Sequence, residues 1–355
     1  MTDQPRDVFG GVDTHTDTHH AAVVDALGRH LADAQFPTTS EGYHALLTWL
    51  RSHGNVCAVG VEGTGSYGTQ LARVLAAAGL TVFDINRPDR RIRHRQGKSD
   101  PIDAYAAAQA VAAGRADIVP KAHDGAAESL RVLHNARTSA VKARTQAINQ
   151  IRSLLVTAPD TLRAQLRGLA AADLIATFSR LRPSGDLATP AAAAKFTLRR
   201  LARRYQELGR EIEDYDSELT SLATQAAPEL VSVNGVGPET AARLLAAVGD
   251  NPERLRSEAA FAHLCGVAPI PASSGRRDRH RLNRGGNRSA NAALYRIVVV
   301  RMRHDQRTRD YIARRTAQGL QKKDIIRCLK RYVAREVFRA LTCADTPRID
   351  LAQAA

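Results

Sequence analysis

The sequence predicts an α/β domain followed by a mainly α-helical remainder. Three observations support this fold class. Short apolar runs alternate with helical patterns up to about residue 113, long amphipathic patterns fill the middle of the chain, and arginine becomes dense towards its end. With 355 residues, of which 44% are hydrophobic, the chain is long enough to bury more than one core.

The first third of the chain alternates strand and helix patterns. Short apolar runs predict five strands, at residues 8–13, 20–26, 30–36, 57–62 and 81–85. Helical spacing predicts three helices: one after Ser40, one over 67–78 and an alanine-rich one over about 101–113. Three strands followed by alternating helices and strands is the order of a ribonuclease-H-like fold, a mixed sheet flanked by helices.

The middle of the chain, from about residue 124 to 226, has leucine and alanine spaced three and four residues apart. The stretch LRPSGDLATP at 181–190 carries proline and glycine and precedes a second helical run from Ala194 to Ala226. We therefore predict a helical hairpin or coiled coil. Its many arginines and lysines favour an arm that dimerises or holds nucleic acid, and a plain helical spacer is the alternative.

These changes of pattern predict three domains, at residues 1–122, 123–227 and 228–345. The net charge of +15 and pI near 10.2 favour a polyanionic partner, although an arginine-rich genome also gives a basic composition. From Arg276 to Arg339 there are 20 Lys and Arg against 5 Asp and Glu, a net of +15 that equals the charge of the whole chain. The polyanion contact is predicted there.

Cysteine spacing and hydropathy together predict the compartment of the protein. The four cysteines are far apart and form no C-x-x-C pair, which argues against a disulfide framework and a zinc ribbon. The first residues lack the basic and apolar regions of a signal peptide, and no apolar run approaches 18 residues. We predict a soluble bacterial protein of the cytoplasm, associated with the nucleoid and without a membrane partner.

Four acidic residues fall where a metal site is expected. Asp13 and Glu62 each close an apolar strand, and Asp100 and Asp103 lie in KSDPIDA at a helix start. Strand ends place side chains on one rim of a sheet, and carboxylates converging there bind two hard cations such as Mg²⁺. The alternative for the last pair is a helix cap, with Asp100 at the N-cap, Pro101 at N1 and Asp103 at N3.

The segment DTHTDTHH at 13–20 permits a second metal hypothesis. In an extended strand, Asp13, His15, Asp17 and His19 would point to one face, and such a set binds zinc or manganese in a hydrolase. The alternative is a turn that leaves the strand, in which only one carboxylate matters.

Two segments of the last third of the chain carry the remaining candidate residues. NGVGPETAARLL at 234–245 resembles the hairpin of a helix-hairpin-helix element, in which Gly235 and Gly237 let the backbone approach a phosphate. An ordinary glycine turn before a helix is the alternative.

The second segment, PASSGRRDRHRLNRGGNRSANAALY at 271–295, is basic, and it places Ser273, Ser274 and a glycine before a run of arginines. A serine hydroxyl attacks phosphorus when positive groups neutralise the developing charge. A flexible loop that only contacts phosphate is the alternative. The candidate nucleic-acid contacts are Arg276, Arg277, Arg279, Arg281 and Arg284.

Five motifs together resemble the insertion-sequence transposases of the IS-one-ten and IS-eleven-eleven type. They are VDTHTDTH at 12–19, VEGTGSYG at 61–68, NRPDRRIRHRQGKSDPIDA at 86–104, VNGVGPETA at 233–241 and LCGVAPIPASSGRRDRHRLNRGGNRSANAALY at 264–295. The resemblance covers nearly the whole chain. It implies a RuvC-like DEDD domain at the N-terminus and a serine-bearing transposase domain at the C-terminus.

By this resemblance, Asp13, Glu62, Asp100 and Asp103 correspond to the tetrad that holds magnesium. Ser274 corresponds to the serine that links transiently to a DNA end, with its neighbour Ser273 as the less favoured choice. The family is similar to recombinases guided by a structured non-coding RNA, the bridge RNA, which pairs with donor and target DNA. Its members act as dimers that assemble into tetramers, with the acidic site and the serine from different subunits. The loop after Ser274 departs from the family pattern because lysine is expected where arginine stands.

The sequence also permits two other functions. One is a RuvC-like nuclease that uses metal-activated water alone, and the other is a regulator that binds DNA or RNA without cutting it. The low aromatic content, 5%, favours contacts with the phosphate backbone over base stacking in either case.

Overall fold

The computed structural model describes residues 6–85, 99–158, 163, 170–182, 185–276 and 279–342. The chain divides into two compact units. The first consists of Met1–Asp124 with Gly249–Arg254, and the second of Gly125–Val248 with Leu255–Ala355. The predicted boundary at 122/123 lies two residues from this division, and the boundary at 227/228 stays a prediction.

A five-stranded mixed sheet forms the centre of the first unit. Its strands are β1 (Asp7–Thr14), β2 (Thr18–Asp25), β3 (His30–Pro37), β4 (Asn55–Glu62) and β5 (Val82–Ile85). They lie in the order β3-β2-β1-β4-β5. The first three strands are antiparallel, whereas β4 is parallel to both β1 and β5. The five predicted strands are present and alternate along the chain with helices as predicted, and the mixed sheet is consistent with a ribonuclease-H-like domain.

Helices cover both faces of this sheet. They are α1 (Ser40–Ser52), α2 (Thr69–Ala77) and α3 (Asp100–Ala112). The hydroxyl of Thr39 accepts a hydrogen bond from the Gly42 backbone N–H and so caps the start of α1. Leucines of α1 and α2 pack on the face that carries Val12, whereas Ala107 and Val111 of α3 pack on the opposite face.

Two glycines let α3 lie unusually close to the sheet. A Cβ atom at Gly11 would come within 2.2 Å of the Ala104 carbonyl oxygen and the Ala108 nitrogen. At Gly60 a Cβ atom would lie 2.8 Å from the Val111 side chain. Since both contacts are too short for real atoms, only glycine permits this approach of helix to strands. The glycines therefore fix where the start of α3 lies along β1 and β4.

The second unit begins with a helical hairpin. Its helices are α4 (Ala126–Thr157), the short α5 (Ala171–Ser179) and α6 (Pro190–Ala226). Leu130 of α4 shares a core with Leu219 near the end of α6, and Ile151 shares another with Leu198 near its start. The two long helices are thus antiparallel, as a hairpin requires. The sequence patterns did not single out α5.

The rest of the second unit is mostly helical, as predicted. Its elements are α7 (Pro228–Ser232), α8 (Pro238–Val248), α9 (Glu258–Leu264), the two-residue strands β6 (Ile270–Pro271) and β7 (His280–Arg281), α10 (Arg288–His304), α11 (Gln306–Ala317) and α12 (Lys322–Thr342). Buried residues such as Leu244, Phe261, Ile297 and Val337 form one core. In the described part of the chain, every helix is too short or too polar to cross a membrane.

We expect Gly11→Ala to destabilise the first unit by about 2–3 kcal/mol, because the new methyl group must push α3 away from β1. The single tryptophan, Trp49 of α1, reports on this unit alone, so urea unfolding followed by its fluorescence measures the effect. Gly65→Ala is the matched control, since nothing lies within 4 Å of the Cβ position there. Equal midpoints for the two variants would contradict the close approach.

Candidate active site

The ends of β1 and β4 place two predicted acidic residues side by side. Val12 pairs with Val61 in the parallel register, so Asp13 and Glu62 are the next residues on neighbouring strands. Side chains two residues apart on a strand share a face. Asp13 and Glu62 therefore share the face of Gly11 and Gly60, which is the face covered by α3.

The start of α3 brings the other two carboxylates to this rim. Asp103 is buried, and Asp100 is half-exposed. The helix cap predicted as the alternative does not form as stated, because Ser99 occupies the N-cap position and Asp100 the first helical one. The backbone N–H of Asp103 donates to the Ser99 carbonyl, 3.1 Å away, and the Ser99 side chain makes no capping hydrogen bond.

His15 joins two of these carboxylates. Its Nε2 atom lies 3.2 Å from Asp13 Oδ2 and 3.2 Å from Asp100 Oδ1. Burial raises the pKa of Asp13, His15 lowers it, and the nearby carboxylates of Asp103 and Asp100 raise it again. The rim therefore concentrates carboxylates, of which Asp13 and Asp103 are buried.

The donor set suits a divalent cation. Ligand atoms of Asp13, His15 and Asp100 all lie within 4.8 Å of one another. Carboxylate oxygens are the preferred ligands of Mg²⁺, and an imidazole nitrogen suits Mn²⁺ and other transition metals. A cation that shares these carboxylates would reduce the repulsion that raises the pKa of Asp13, so the residues fit a metal site.

The hypothesis of four metal ligands on one extended strand is wrong. The chain turns at residues 15–17, where the His15 N–H donates to the Thr18 carbonyl. His19 lies on β2, is fully buried and stacks on Tyr43 of α1, on the side of the sheet away from Asp13. Asp17 is exposed in the turn. The alternative of a turn leaving the strand is the correct one.

In the second unit, the serine segment forms a small hairpin of β6 and β7. The Ala272 N–H donates to the Arg279 carbonyl at 2.7 Å, and the Arg279 N–H donates to Ser273 Oγ at 3.2 Å. Ser274 is exposed near the tip, and within the described part of the chain its hydroxyl makes no hydrogen bond. The two adjacent serines thus have different environments.

Most of the predicted basic residues surround this hairpin. Four are exposed: Arg276, Arg279, Arg281 and Arg284. Arg277 lies outside the described residues, as do residues 86–98 of the NRPDRR motif. The basic segment therefore presents at least part of its charge to solvent, where a polyanion can reach it.

Comparison with known proteins identifies the family. An IS110-type DEDD transposase domain matches residues 10–158, and a domain described as transposase, IS116/IS110/IS902 family, matches residues 227–313. The chain is 31% identical to the mini-circle IS117 protein of Streptomyces coelicolor, over 76% of this chain and 78% of that protein. The chain belongs to the IS116/IS110/IS902 family of transposases. It is therefore an enzyme that cuts and rejoins DNA.

A second relative agrees with this assignment. The transposase is 26% identical to a 42 kDa protein of insertion element IS900 from Mycobacterium paratuberculosis, over 91% of this chain and 93% of that protein. The matched DEDD domain contains the whole acidic rim, and the second domain contains the serine hairpin. A DEDD domain also indicates that the enzyme uses a divalent metal.

Sequence reasoning missed a polar network beside the rim of the transposase. His20 pairs with Asp13 in the antiparallel register and therefore shares its face. Its Nε2 atom lies 2.7 Å from Asp33 Oδ2, and the Tyr105 hydroxyl of α3 donates to Asp33 Oδ1 at 3.1 Å. Burial and the contact with Asp33 raise the pKa of Tyr105 to about 12. The network ties α3 to β2 and β3, and no sequence pattern links these three residues.

The glycine turn predicted to bind phosphate connects α7 to α8. Gly235 has a φ of +82°, which favours glycine, whereas open space surrounds the Cβ position of Gly237. The first turn of α8 already carries the carboxylate of Glu239. Arg243 and Arg296 contact that carboxylate at 2.7 and 3.1 Å.

Glu239 is the centre of an ion cluster that joins three helices. The His134 imidazole, together with Arg243, Arg296 and Arg137, lowers the pKa of Glu239 to about 2. His134 and Arg137 lie on α4, Arg243 on α8 and Arg296 on α10. The cluster fixes the hairpin against the C-terminal helices of the same unit.

We expect Glu239→Gln to destabilise the second unit by about 2–3 kcal/mol at pH 7, because it leaves several partly buried cations without their carboxylate. The folded pKa lies below the ordinary value near 4.3, so this stability is present above about pH 4.3 and is lost as the pH falls towards 2. The difference from wild type should therefore shrink over that range.

Urea unfolding followed by circular dichroism at several pH values measures this difference. Glu229→Gln is the matched control, because Glu229 is exposed in the neighbouring helix α7. A destabilisation of the same size at pH 3 and pH 7 would argue that packing, and not charge, explains the effect of Glu239→Gln.

Proposed function

We propose that this transposase cuts DNA at a magnesium site formed by Asp13, Glu62, Asp100 and Asp103 and stores the broken strand as a phosphoserine at Ser274. The proposed magnesium site is supported by one observation: the start of α3 places Asp100 and Asp103 close to the strand ends that hold Asp13 and Glu62. The proposed role of Ser274 is supported by the different environments of the two hairpin serines.

The acidic rim is proposed to hold two magnesium ions. Magnesium, when bound, supplies positive charge that polarises the scissile phosphate. Asp13 and Asp103 are buried and restrained by the sheet and α3, so they hold their oxygens in fixed positions. Asp100 is half-exposed and lies at the open side of the rim, where a phosphate can approach.

Ser274 is proposed as the nucleophile because its hydroxyl is exposed and available, whereas Ser273 Oγ accepts the Arg279 N–H and holds the hairpin together. Ser274 Oγ attacks phosphorus and gives its proton to water, and the P–O bond to one DNA strand breaks. The departing DNA oxygen takes up a proton. A hydroxyl of the second DNA end then attacks the phosphorus of the phosphoserine and loses its proton. The bond between phosphorus and Ser274 Oγ breaks, Ser274 takes up a proton, and the new strand is sealed.

The basic segment is proposed to bind the DNA backbone around this reaction. Arg276, Arg277, Arg279, Arg281 and Arg284 neutralise phosphate charge beside the serine, and the turn at Gly235 and Gly237 contacts a further phosphate. Exposure of the four described arginines supports this role. Because the carboxylate of Glu239 already lies at the first turn of α8, the phosphate contact is assigned to the turn before it.

We further propose that a structured guide RNA pairs with donor and target DNA and that the enzyme assembles as a dimer and a tetramer. The family resemblance suggests both. The charge of +15 is large enough to bind RNA as well as DNA. The hairpin of α4 and α6 carries additional arginines and is the proposed assembly element.

The serine proposal is tested with full-length protein, RNA transcribed from the flanking DNA, and labelled donor and target duplexes in magnesium. We expect a protein–DNA adduct that survives denaturation with wild type and with Ser273→Ala, and none with Ser274→Ala, because only Ser274 forms the phosphoester. An adduct with Ser274→Ala that is lost in Ser273→Ala would make Ser273 the nucleophile. Cut DNA without any adduct would leave a nuclease that uses water alone.

The metal proposal is tested in the same reaction with Asp13→Asn. We expect strand cleavage to fall by about 10²–10³-fold, since removing one charge-stabilising group from a preorganised site costs about this much. Asp17→Asn is the matched control, because Asp17 is exposed in the turn four residues away. Cleavage that survives Asp13→Asn would exclude the acidic rim, and tight DNA binding without cleavage by wild type would favour a binding protein.

A further inference from the structure

His15 occupies a position that neither the acidic tetrad nor the serine explains. It is the first residue after β1, and its backbone N–H donates to the Thr18 carbonyl at 3.1 Å. The preceding residue, Thr14, donates its hydroxyl to the Glu62 carbonyl at 2.8 Å. These two hydrogen bonds hold the turn against the ends of β4 and β2. The imidazole is thereby held at the rim.

The contacts of the ring are those expected of a metal ligand. One nitrogen, Nε2, is equally distant, at 3.2 Å, from Asp13 Oδ2 on β1 and Asp100 Oδ1 on α3. The three ligand atoms lie within 4.8 Å of one another. Around an octahedral ion with bonds of about 2.1 Å, neighbouring ligand atoms lie about 3 Å apart and opposite ones about 4 Å apart. The two distances of 3.2 Å from His15 Nε2 are close to those of neighbouring positions.

We propose that His15 is a metal ligand of the acidic rim, together with Asp13 and Asp100, and that its nitrogen makes the rim prefer Mn²⁺ to Mg²⁺. This inference rests on the proposed metal site. A set of oxygen ligands alone favours Mg²⁺, whereas an imidazole ligand favours transition metals such as Mn²⁺. The alternative role for His15 is an ion pair with the two carboxylates, in which it positions them without touching the metal.

Pulsed electron paramagnetic resonance of bound Mn²⁺ separates these roles, because it detects a nitrogen nucleus bonded to the ion. The full chain is titrated with Mn²⁺ at pH 7.5 without nucleic acid, as wild type, His15→Ala and His44→Ala. His44 is the matched control, since it is an exposed histidine on α1 of the same unit whose Nδ1 atom lies 2.7 Å from the Ser40 carbonyl. Trp49 fluorescence verifies that each variant is folded.

We expect wild type and His44→Ala to give a directly bonded nitrogen signal and His15→Ala to lose it. The dissociation constant for Mn²⁺ should rise at least about tenfold in His15→Ala, a loss seen even when an outer partner of a metal ligand is removed. The constant for Mg²⁺, measured by competition, should rise by a smaller factor. Wild-type Mn²⁺ without a nitrogen signal, or a signal that persists in His15→Ala, would overturn the ligand role.

The variant Asp13→Asn distinguishes a failure of this inference from a failure of the proposed function. If wild type binds Mn²⁺ without nitrogen and Asp13→Asn weakens that binding, the acidic rim stands and His15 only positions its carboxylates. If Asp13→Asn binds Mn²⁺ as tightly as wild type, the rim is not the metal site, and the proposed function fails together with the inference.

Discussion

The close approach of α3 to β1 is the constraint on which the acidic site depends. Gly11 lies two residues before Asp13, and Ala104 directly follows Asp103. Contact between Gly11 and Ala104 therefore brings the two carboxylates together as a consequence of packing. Any side chain at position 11 would separate the helix from the strand and the carboxylates from each other. Small residues in the core thus determine how close these carboxylates lie to each other.

Charge is distributed unevenly between the two units of the transposase. The first unit concentrates carboxylates at one rim, where burial and repulsion raise the pKa of Asp13. The second unit carries a dense basic segment, yet it also buries Glu239 among cations. One unit therefore favours a cation and the other a polyanion. In the proposed function, metal binding and DNA binding are separate electrostatic tasks, and one is assigned to each unit.

The sequence allowed much of the fold to be predicted, because strand and helix periods are local. Each predicted strand of the sheet is present, and the helical hairpin follows from leucines spaced three and four apart. The prediction of four ligands on one strand was wrong, because alternation along the chain holds only while the strand continues. The turn at residues 15–17 reverses the chain, so His19 faces the core and His20 shares the side of Asp13.

By itself, the sequence determined the family, the basic segment, and the residues with suitable chemistry at the strand ends, because residue identity and local periodicity carry that information. Only the tertiary structure decided which of these residues meet. It placed His15 between Asp13 and Asp100, joined Tyr105 to Asp33, and gave Ser273 and Ser274 different environments. The physical reason is that these contacts link residues on different elements, whose distances are set by packing and backbone turns and not by spacing along the chain.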